Sequence, residues 1–148
     1  MMPLHASLRH QLMARADWME ARLMEGALRD GYGGVTTAMN RMFLHLHGRP
    51  VGLSELARAL AVSRQAVHQL ASEAAALGLV EFVPSETDGR VRLLRFTQKG
   101  WAMSERALRE LERIEAEIAA RIGERDLREL KRILGQAWTA EEDADRAG

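Results

Sequence analysis

The chain has 148 residues, of which 47% are hydrophobic and 28% are charged, and its formal net charge is zero. This size fits one domain with a moderate core, and no stretch approaches the roughly 18 uninterrupted apolar residues of a membrane span. The chain contains no cysteine, which excludes disulfide bonds, thiolate metal sites and cysteine redox switches.

Residues 4–30 are predicted to form one long amphipathic helix that ends at a group of glycines. Its apolar residues recur every three or four positions, as on one face of a helix. They are Leu4, Leu8, Leu12, Ala16, Met19, Leu23 and Ala27. Basic residues at short intervals near its start leave no apolar segment of a secretory signal, so we expect a cytoplasmic protein. They are His5, Arg9, His10 and Arg15.

A second helix is predicted to begin at a cap on Thr36 or Thr37 and to stop at Gly48. His45 and His47 lie near its end. Side chains two positions apart on a helix point about 200° away from each other and cannot share one ion. We therefore predict no metal site and no metal cofactor.

Residues 53–60 and 64–77 are predicted to form two short helices separated by a tight turn, with Ser63 as the N-cap of the second. Two positions depart from the usual pattern of such a pair. Ala61 stands where glycine is frequent, because that residue often has a positive φ, and alanine there costs roughly 1 kcal/mol unless the turn shifts. Gly52 caps the first helix where Ser or Thr could form a capping box with Glu55, although glycine is an acceptable cap.

The second of these helices has an apolar face and an opposite polar face. The apolar face contains Val67, Leu70, Ala74 and Leu77, and the polar face contains Arg64, Gln65, His68, Gln69 and Ser72. Arg matches the two acceptors of guanine and Gln matches the donor and acceptor of adenine, so a helix-turn-helix could read base edges with this face. On these residues alone, a helical hairpin with a solvated polar face is the alternative.

Residues 79–84 and 91–96 are predicted to form two strands joined at a hairpin turn on Asp88-Gly89, with Gly78 ending the preceding helix. We call residues 79–96 the wing. A helix-turn-helix followed by a basic hairpin is a winged helix. The stretches LSELARAL, VSRQAVHQL, LGLVE, Asp88-Gly89-Arg90 and LRFTQKG, in this order and spacing, resemble the MarR family of bacterial transcriptional regulators.

The resemblance implies how the site residues act. Ser63 and the polar face of the second short helix are expected to contact the major groove of an inverted-repeat operator. In the wing, Arg90 is expected to enter the minor groove, with Asp88 holding its guanidinium and Arg92 close by. The family usually places effector ligands between its dimerisation helices and the winged helix. Residues that could line such a site here are Trp18, Tyr32, Met39 and Met42.

The last third of the chain is predicted to contain a long helix capped by Thr97, a break at Gly123 and a final amphipathic helix over 127–138. The long helix carries an apolar stripe of Met103, Ala107, Leu111, Ile114, Ile118 and Ile122. A compact winged helix cannot bury the apolar stripes at both ends of the chain. A C2 homodimer that packs the terminal helices of two protomers would bury them, and the resemblance implies the same arrangement.

Net charge is distributed unevenly. The segment 139–148 has four acidic residues and one basic residue, so the rest of the chain has three more basic than acidic residues. We expect this segment to be a frayed, solvated tail. Within the wing and just after it, basic residues concentrate, as a nucleic-acid contact requires. They are Arg90, Arg92, Arg95 and Lys99.

The predicted fold class is mainly α, a winged helix-turn-helix with a two-stranded wing and long terminal dimerisation helices. The expected divisions are 1–34 and 101–138 for dimerisation, 35–100 for DNA binding and 139–148 as a flexible tail. No catalytic constellation is present, so we expect a regulator and not an enzyme. The predicted function is a MarR-type repressor that a small molecule releases from duplex DNA. The alternative is a winged-helix module that binds other proteins.

Overall fold

A computed structural model describes residues 1–148. Its helices are α1 (Leu8–Arg29), α2 (Thr37–Phe43), α3 (Leu53–Leu60), α4 (Arg64–Ala76), α5 (Gln98–Ile122), α6 (Glu124–Leu134) and α7 (Ala140–Ala147). Its strands are β1 (Val51–Gly52), β2 (Val80–Pro84) and β3 (Arg92–Phe96). The predicted fold class, mainly helical with a winged helix-turn-helix, is confirmed. The chain divides into two compact units, Met1–Glu110 and Leu111–Gly148.

The first helix begins later than predicted, because Ser7 caps it. The Ser7 hydroxyl accepts from the His10 backbone N–H at 3.2 Å, and Ser7 itself is extended. A separate 3-10 turn, Leu4–Ala6, precedes it. The predicted start at Leu4 is therefore wrong by one helical turn, since a serine hydroxyl that satisfies a first-turn N–H favours a helix start at the next residue.

Helix α2 begins as predicted and ends early. Thr36 caps it by accepting from the Met39 N–H at 3.2 Å. The helix stops at Phe43, and tighter turns then bring the fully buried Leu46 into the core. The apolar spacing thus predicted burial correctly but not the helical end. His45 and His47 lie beyond the helix, so the geometric argument against a shared ion does not apply to them. No group of three or more metal-binding side chains is present in the chain.

The core of the first unit lies where α2, α3, α4 and the sheet meet. Its largest fully buried side chains are Met42, Leu46, Leu56, Leu79, Leu94 and Val67. Phe43 and Phe96 pack with their ring centroids 5.5 Å apart, in the tilted arrangement that aromatic pairs prefer. This core fixes the α3–α4 pair against the wing.

The sheet has three antiparallel strands in the order β1-β3-β2. Val51 and Gly52 pair with β3, which adds a short edge strand to the predicted two-stranded wing. In the wing, Phe82 is opposite Leu94 and Val80 is opposite Phe96. The predicted hairpin is confirmed, and Asp88 and Gly89 lie in its connection, which is longer than a two-residue turn. The strands are joined by residues 85–91, Gly89 has no positive φ, and the closing turn runs from the Asp88 carbonyl to the Val91 N–H at 3.0 Å.

The junction between α4, the wing and α5 depends on Gly100. A Cβ at Gly100 would clash with the Leu79 carbonyl oxygen, which is a backbone atom, so no other residue fits here. Gly78, with φ +75°, ends α4 in the left-handed conformation as predicted. The Thr97 hydroxyl donates to the Gly78 carbonyl at 2.5 Å and accepts from the Gly100 N–H at 3.1 Å, so it caps α5 as predicted. The close approach positions the wing against the end of α4.

The second unit, Leu111–Gly148, is helical and exposes apolar side chains on α6. Leu130, Ile133 and Leu134 are each more than two-fifths exposed in the protomer. On the polar side of α6, Arg132 donates to both carboxylate oxygens of Glu129, and these hydrogen bonds lower the pKa of the Glu129 carboxyl. No helix of the protein combines the length and hydropathy that a bilayer span requires.

The end of the chain differs from the prediction in two ways. Helix α6 stops at Leu134, so Trp138 lies outside it, and the Trp138 indole donates to the Ile133 carbonyl at 3.2 Å. Residues after Thr139 form α7, where a frayed tail was expected. The cause is local: the Thr139 hydroxyl caps the Glu142 N–H, and the Glu142 carboxylate accepts from the Trp138 N–H.

Candidate nucleic-acid interface

The turn between α3 and α4 has the geometry that a helix-turn-helix requires. Ala61 adopts the left-handed conformation, with φ 54° and ψ 42°, and is the one non-glycine residue of the chain with a positive φ. The Val62 N–H then returns to the Ala57 carbonyl at 3.0 Å. The turn has not shifted to avoid the strain of an alanine, so the sequence departure at this position is a real one.

Helix α4 presents its polar face to solvent. Val67, Ala71 and Ala74 are fully buried on one side. The opposite side carries four exposed polar residues, followed by the half-buried Ser72. The exposed residues are Arg64, Gln65, His68 and Gln69. The structure therefore brings together on one face the residues that the sequence assigned to base reading.

Two residues at this face already make hydrogen bonds within the chain. The Ser63 hydroxyl accepts from the Ala66 N–H at 3.0 Å, which leaves its own hydrogen free to be donated. The Gln69 amide donates to the Glu73 carboxylate at 2.9 Å, one helical turn away. This bond uses one of the two amide hydrogens of Gln69, whereas Gln65 forms no such pair.

His68 is placed by the wing. Its imidazole is stacked on the ring of Phe82, with centroids 5.8 Å apart and an angle of 27° between the planes. The Arg92 guanidinium lies over the same ring, 4.9 Å from its centroid. Sequence reasoning did not single out Phe82. The strand register places Phe82 beside Arg92. Phe82 pairs with Leu94, and Arg92, two positions from Leu94, is therefore its diagonal neighbour on the same face.

The tip of the wing is ordered by its own polar side chains. The Asp88 carboxylate accepts from the Arg90 backbone N–H at 3.1 Å. The Ser85 hydroxyl accepts from the N–H groups of Thr87 and Asp88. The expectation that Asp88 holds the Arg90 guanidinium is therefore corrected. Asp88 shapes the backbone that carries Arg90, and the Arg90 side chain extends into solvent.

Two of the four basic residues in and after the wing form hydrogen bonds within the chain. The Arg95 guanidinium donates to the Glu81 carboxylate at 2.8 Å across the strands. The Lys99 ammonium donates to the Leu77 carbonyl at 2.8 Å, where a cation complements the C-terminal end of α4. The positive charge available to an external partner at the wing is that of Arg90 and Arg92.

None of the four residues suggested for a ligand site lines either of two cavities in the chain. Met39 and Met42 are core residues, 2% and 0% exposed. Tyr32 packs against the core under the Arg106 guanidinium, and the exposed Trp18 lies under that of Arg22. One cavity, of about 190 Å³, is lined by His45, His47, Arg49, Val51, Glu55, Leu56 and Ala59. A second, in the other unit, is lined by Glu115, Ala116, Ala119, Glu124, Leu127 and Arg128.

An exposed polar helix, a left-handed turn before it and an ordered basic hairpin beside it define the class of winged-helix proteins. Residues 34–91 match the model of a protein family described as the MarR family. The resemblance that the sequence motifs indicated is therefore confirmed for this part of the chain. No curated protein matches the chain.

Solved structures share this fold over most of their length. The wild-type MarR of Escherichia coli in its apo form is 18% identical with a TM-score of 0.70, over 90% of this chain and 96% of that one. The YusO protein of Bacillus subtilis is 23% identical with a TM-score of 0.63, over 88% and 92%. The transcriptional repressor CouR, bound to a 23-mer DNA duplex, is 22% identical with a TM-score of 0.69, over 88% and 92%.

Proposed function

We propose that the protein is a dimeric, sequence-specific DNA-binding regulator. It would be a repressor whose affinity for an inverted-repeat operator is lowered by a small molecule. The observation that carries the proposal is the exposed polar face of α4 next to a wing tip whose arginine extends into solvent. A structural neighbour, CouR, is a transcriptional repressor bound to a DNA duplex.

The roles follow from chemistry and position. Gln65 and Arg64, in the first turn of α4, are suited to base edges and to phosphate. The Ser63 hydroxyl can donate to a phosphate while it caps the helix. Arg90 is suited to the narrow minor groove, where its charge is attracted most.

The net charge of zero does not oppose this proposal, because the surplus of acid lies in segment 139–148. Phosphate contacts depend on local charge, and each contact releases counterions from DNA. The binding constant should therefore fall linearly on a log–log plot against salt concentration. A module that binds other proteins through this surface should show no such slope with duplex DNA.

The experiment is selection of bound sequences from random duplex DNA, followed by titration of the selected duplex at several salt concentrations. We expect an inverted repeat whose half-sites lie about one helical turn apart. Recovery of no preferred sequence, together with flat salt dependence, would rule out the proposal in favour of the protein-binding module. Ligand release is tested by measuring whether small molecules lower the affinity of the protein for the same duplex.

A further inference from the structure

Phe82 joins the two parts of the winged helix that face outward. Its half-buried ring packs against the core and also contacts His68 of α4 and Arg92 of β3. His68 and Arg92 are both exposed and are 24 positions apart in the chain. One aromatic ring therefore connects a side chain of the helix to a side chain of the wing.

The stack restricts both side chains before any partner binds. An imidazole parallel to a ring directs its two ring nitrogens along the plane of that ring. A guanidinium over an aromatic face is held by attraction to the π electrons, and its N–H groups still point outward. Ordering a long side chain on binding normally lowers affinity, and a side chain that is already ordered avoids this loss.

We propose that Phe82 is a positioning residue that holds His68 and Arg92 as one pre-ordered group for the DNA phosphates between the two grooves. This inference rests on the proposed DNA binding. It assigns His68 to the backbone and leaves base reading to Gln65, whose side chain has no such contact with the wing. Arg forms paired hydrogen bonds to phosphate oxygens, and an imidazole N–H adds a third donor beside them.

The first measurement is made on the free protein. Ring protons of His68 stacked on Phe82 should be shifted upfield in the proton NMR spectrum. Phe82→Leu keeps an apolar side chain but removes the ring, so the shift should disappear. Phe82→Tyr keeps the ring and should keep the shift. An unshifted His68 in the unmodified protein would overturn the stack itself, whatever the protein binds.

The second measurement uses the selected duplex. Phe82→Leu should weaken binding roughly three- to tenfold, since two side chains lose their order. The preference among single-base variants should be unchanged, because bases are not read by this group. Arg92→Ala should weaken binding less in the Phe82→Leu background than in the unmodified protein. Equal losses in both backgrounds would overturn positioning by Phe82.

Arg92→Lys covers the case in which Phe82→Leu does not fold. Lysine retains the charge at an exposed position but lacks the planar group that stacks, so we expect about threefold weaker binding. Unchanged affinity would contradict the proposal. Arg41→Lys, on the exposed side of α2, is the matched control. If the unmodified protein binds no duplex, the proposed function fails first; if it binds and these variants behave like it, only the positioning role fails.

Discussion

At the scale of the residue, Ala61 shows the cost of a turn made without glycine. An L-residue in the left-handed region is less stable by roughly 1–2 kcal/mol, and the greater freedom of glycine in the unfolded chain offsets part of this. Ala61→Gly should therefore stabilise the protein by about 0.5–1 kcal/mol. The measurement is the midpoint of urea unfolding at constant slope.

Ala59→Gly is the matched control for this turn. Ala59 is exposed inside α3, where glycine is unfavourable, so the control should lose about 1 kcal/mol. A loss of stability in both variants would show that the left-handed alanine is not strained in solution.

Substitution of Arg90 tests whether the wing contributes to DNA binding. Its side chain is exposed, so Arg90→Ala should leave thermal stability unchanged and weaken binding to the selected duplex by roughly 1–3 kcal/mol. Arg41→Ala removes the same charge from α2 and should have little effect. Equal affinity for Arg90→Ala and the unmodified protein would remove the wing from the mechanism.

Two substitutions of Asp88 distinguish the effect of its negative charge from the effect of its hydrogen bond on the conformation of the wing tip. Its carboxylate accepts from the Arg90 N–H. Asparagine can accept the same bond, so Asp88→Asn should keep affinity or improve it by removing a negative charge near phosphates. Asp88→Ala removes the acceptor, and the tip should then bind less well. Improved affinity in the alanine variant would show that the acceptor does not position Arg90.

At the scale of the element, α4 should carry the sequence preference. If Gln65 touches a base edge, Gln65→Ala should relax the preference at particular operator positions while the salt slope stays the same. If Arg64 binds phosphate, Arg64→Ala should weaken all sequences alike and reduce the slope by about one unit. The measurement is a binding profile over all single-base variants. A uniform loss for Gln65→Ala would refute base reading at this residue.

The elements that the sequence predicted well are those fixed by nearby residues. The start of α4 depends on a serine three positions from the N–H that it caps, and the end depends on Gly78. By contrast, β1 exists only because Val51 pairs with Leu94, far along the chain. The contact of His68 with Phe82 likewise depends on how the wing folds back on α4, which no local spacing records.

The same distinction explains the length of the wing connection and the error in the last segment. Asp88-Gly89 is a common two-residue hairpin signal, yet the hydroxyl of Ser85 and the carboxylate of Asp88 stabilise a longer loop. In the segment after Thr139, composition suggested a solvated tail. A cap at Thr139, with Glu142 accepting from the Trp138 N–H, forms a helix from it instead.

At the scale of the whole molecule, each end of the chain carries apolar surface that the protomer does not bury. On α1, only Gly26 and Ala27 are fully buried, and Leu8 is 56% exposed. On α6 no residue is fully buried. Apolar surface of this kind is stable in water when it is covered, and a second copy offers the same surface to cover it.

We therefore expect sedimentation at micromolar concentration to give twice the protomer mass of 16.6 kDa.

Leu130→Lys combined with Ile133→Lys should give a monomer, because two ammonium groups would have to be buried at the interface. Both side chains are exposed in the protomer, so its fold should survive. Arg125→Ala, on the polar side of α6, should remain a dimer. Affinity for the full operator should fall in the monomer towards that for a single half-site, since the two half-sites are no longer read together. A monomeric unmodified protein would contradict the expected dimer.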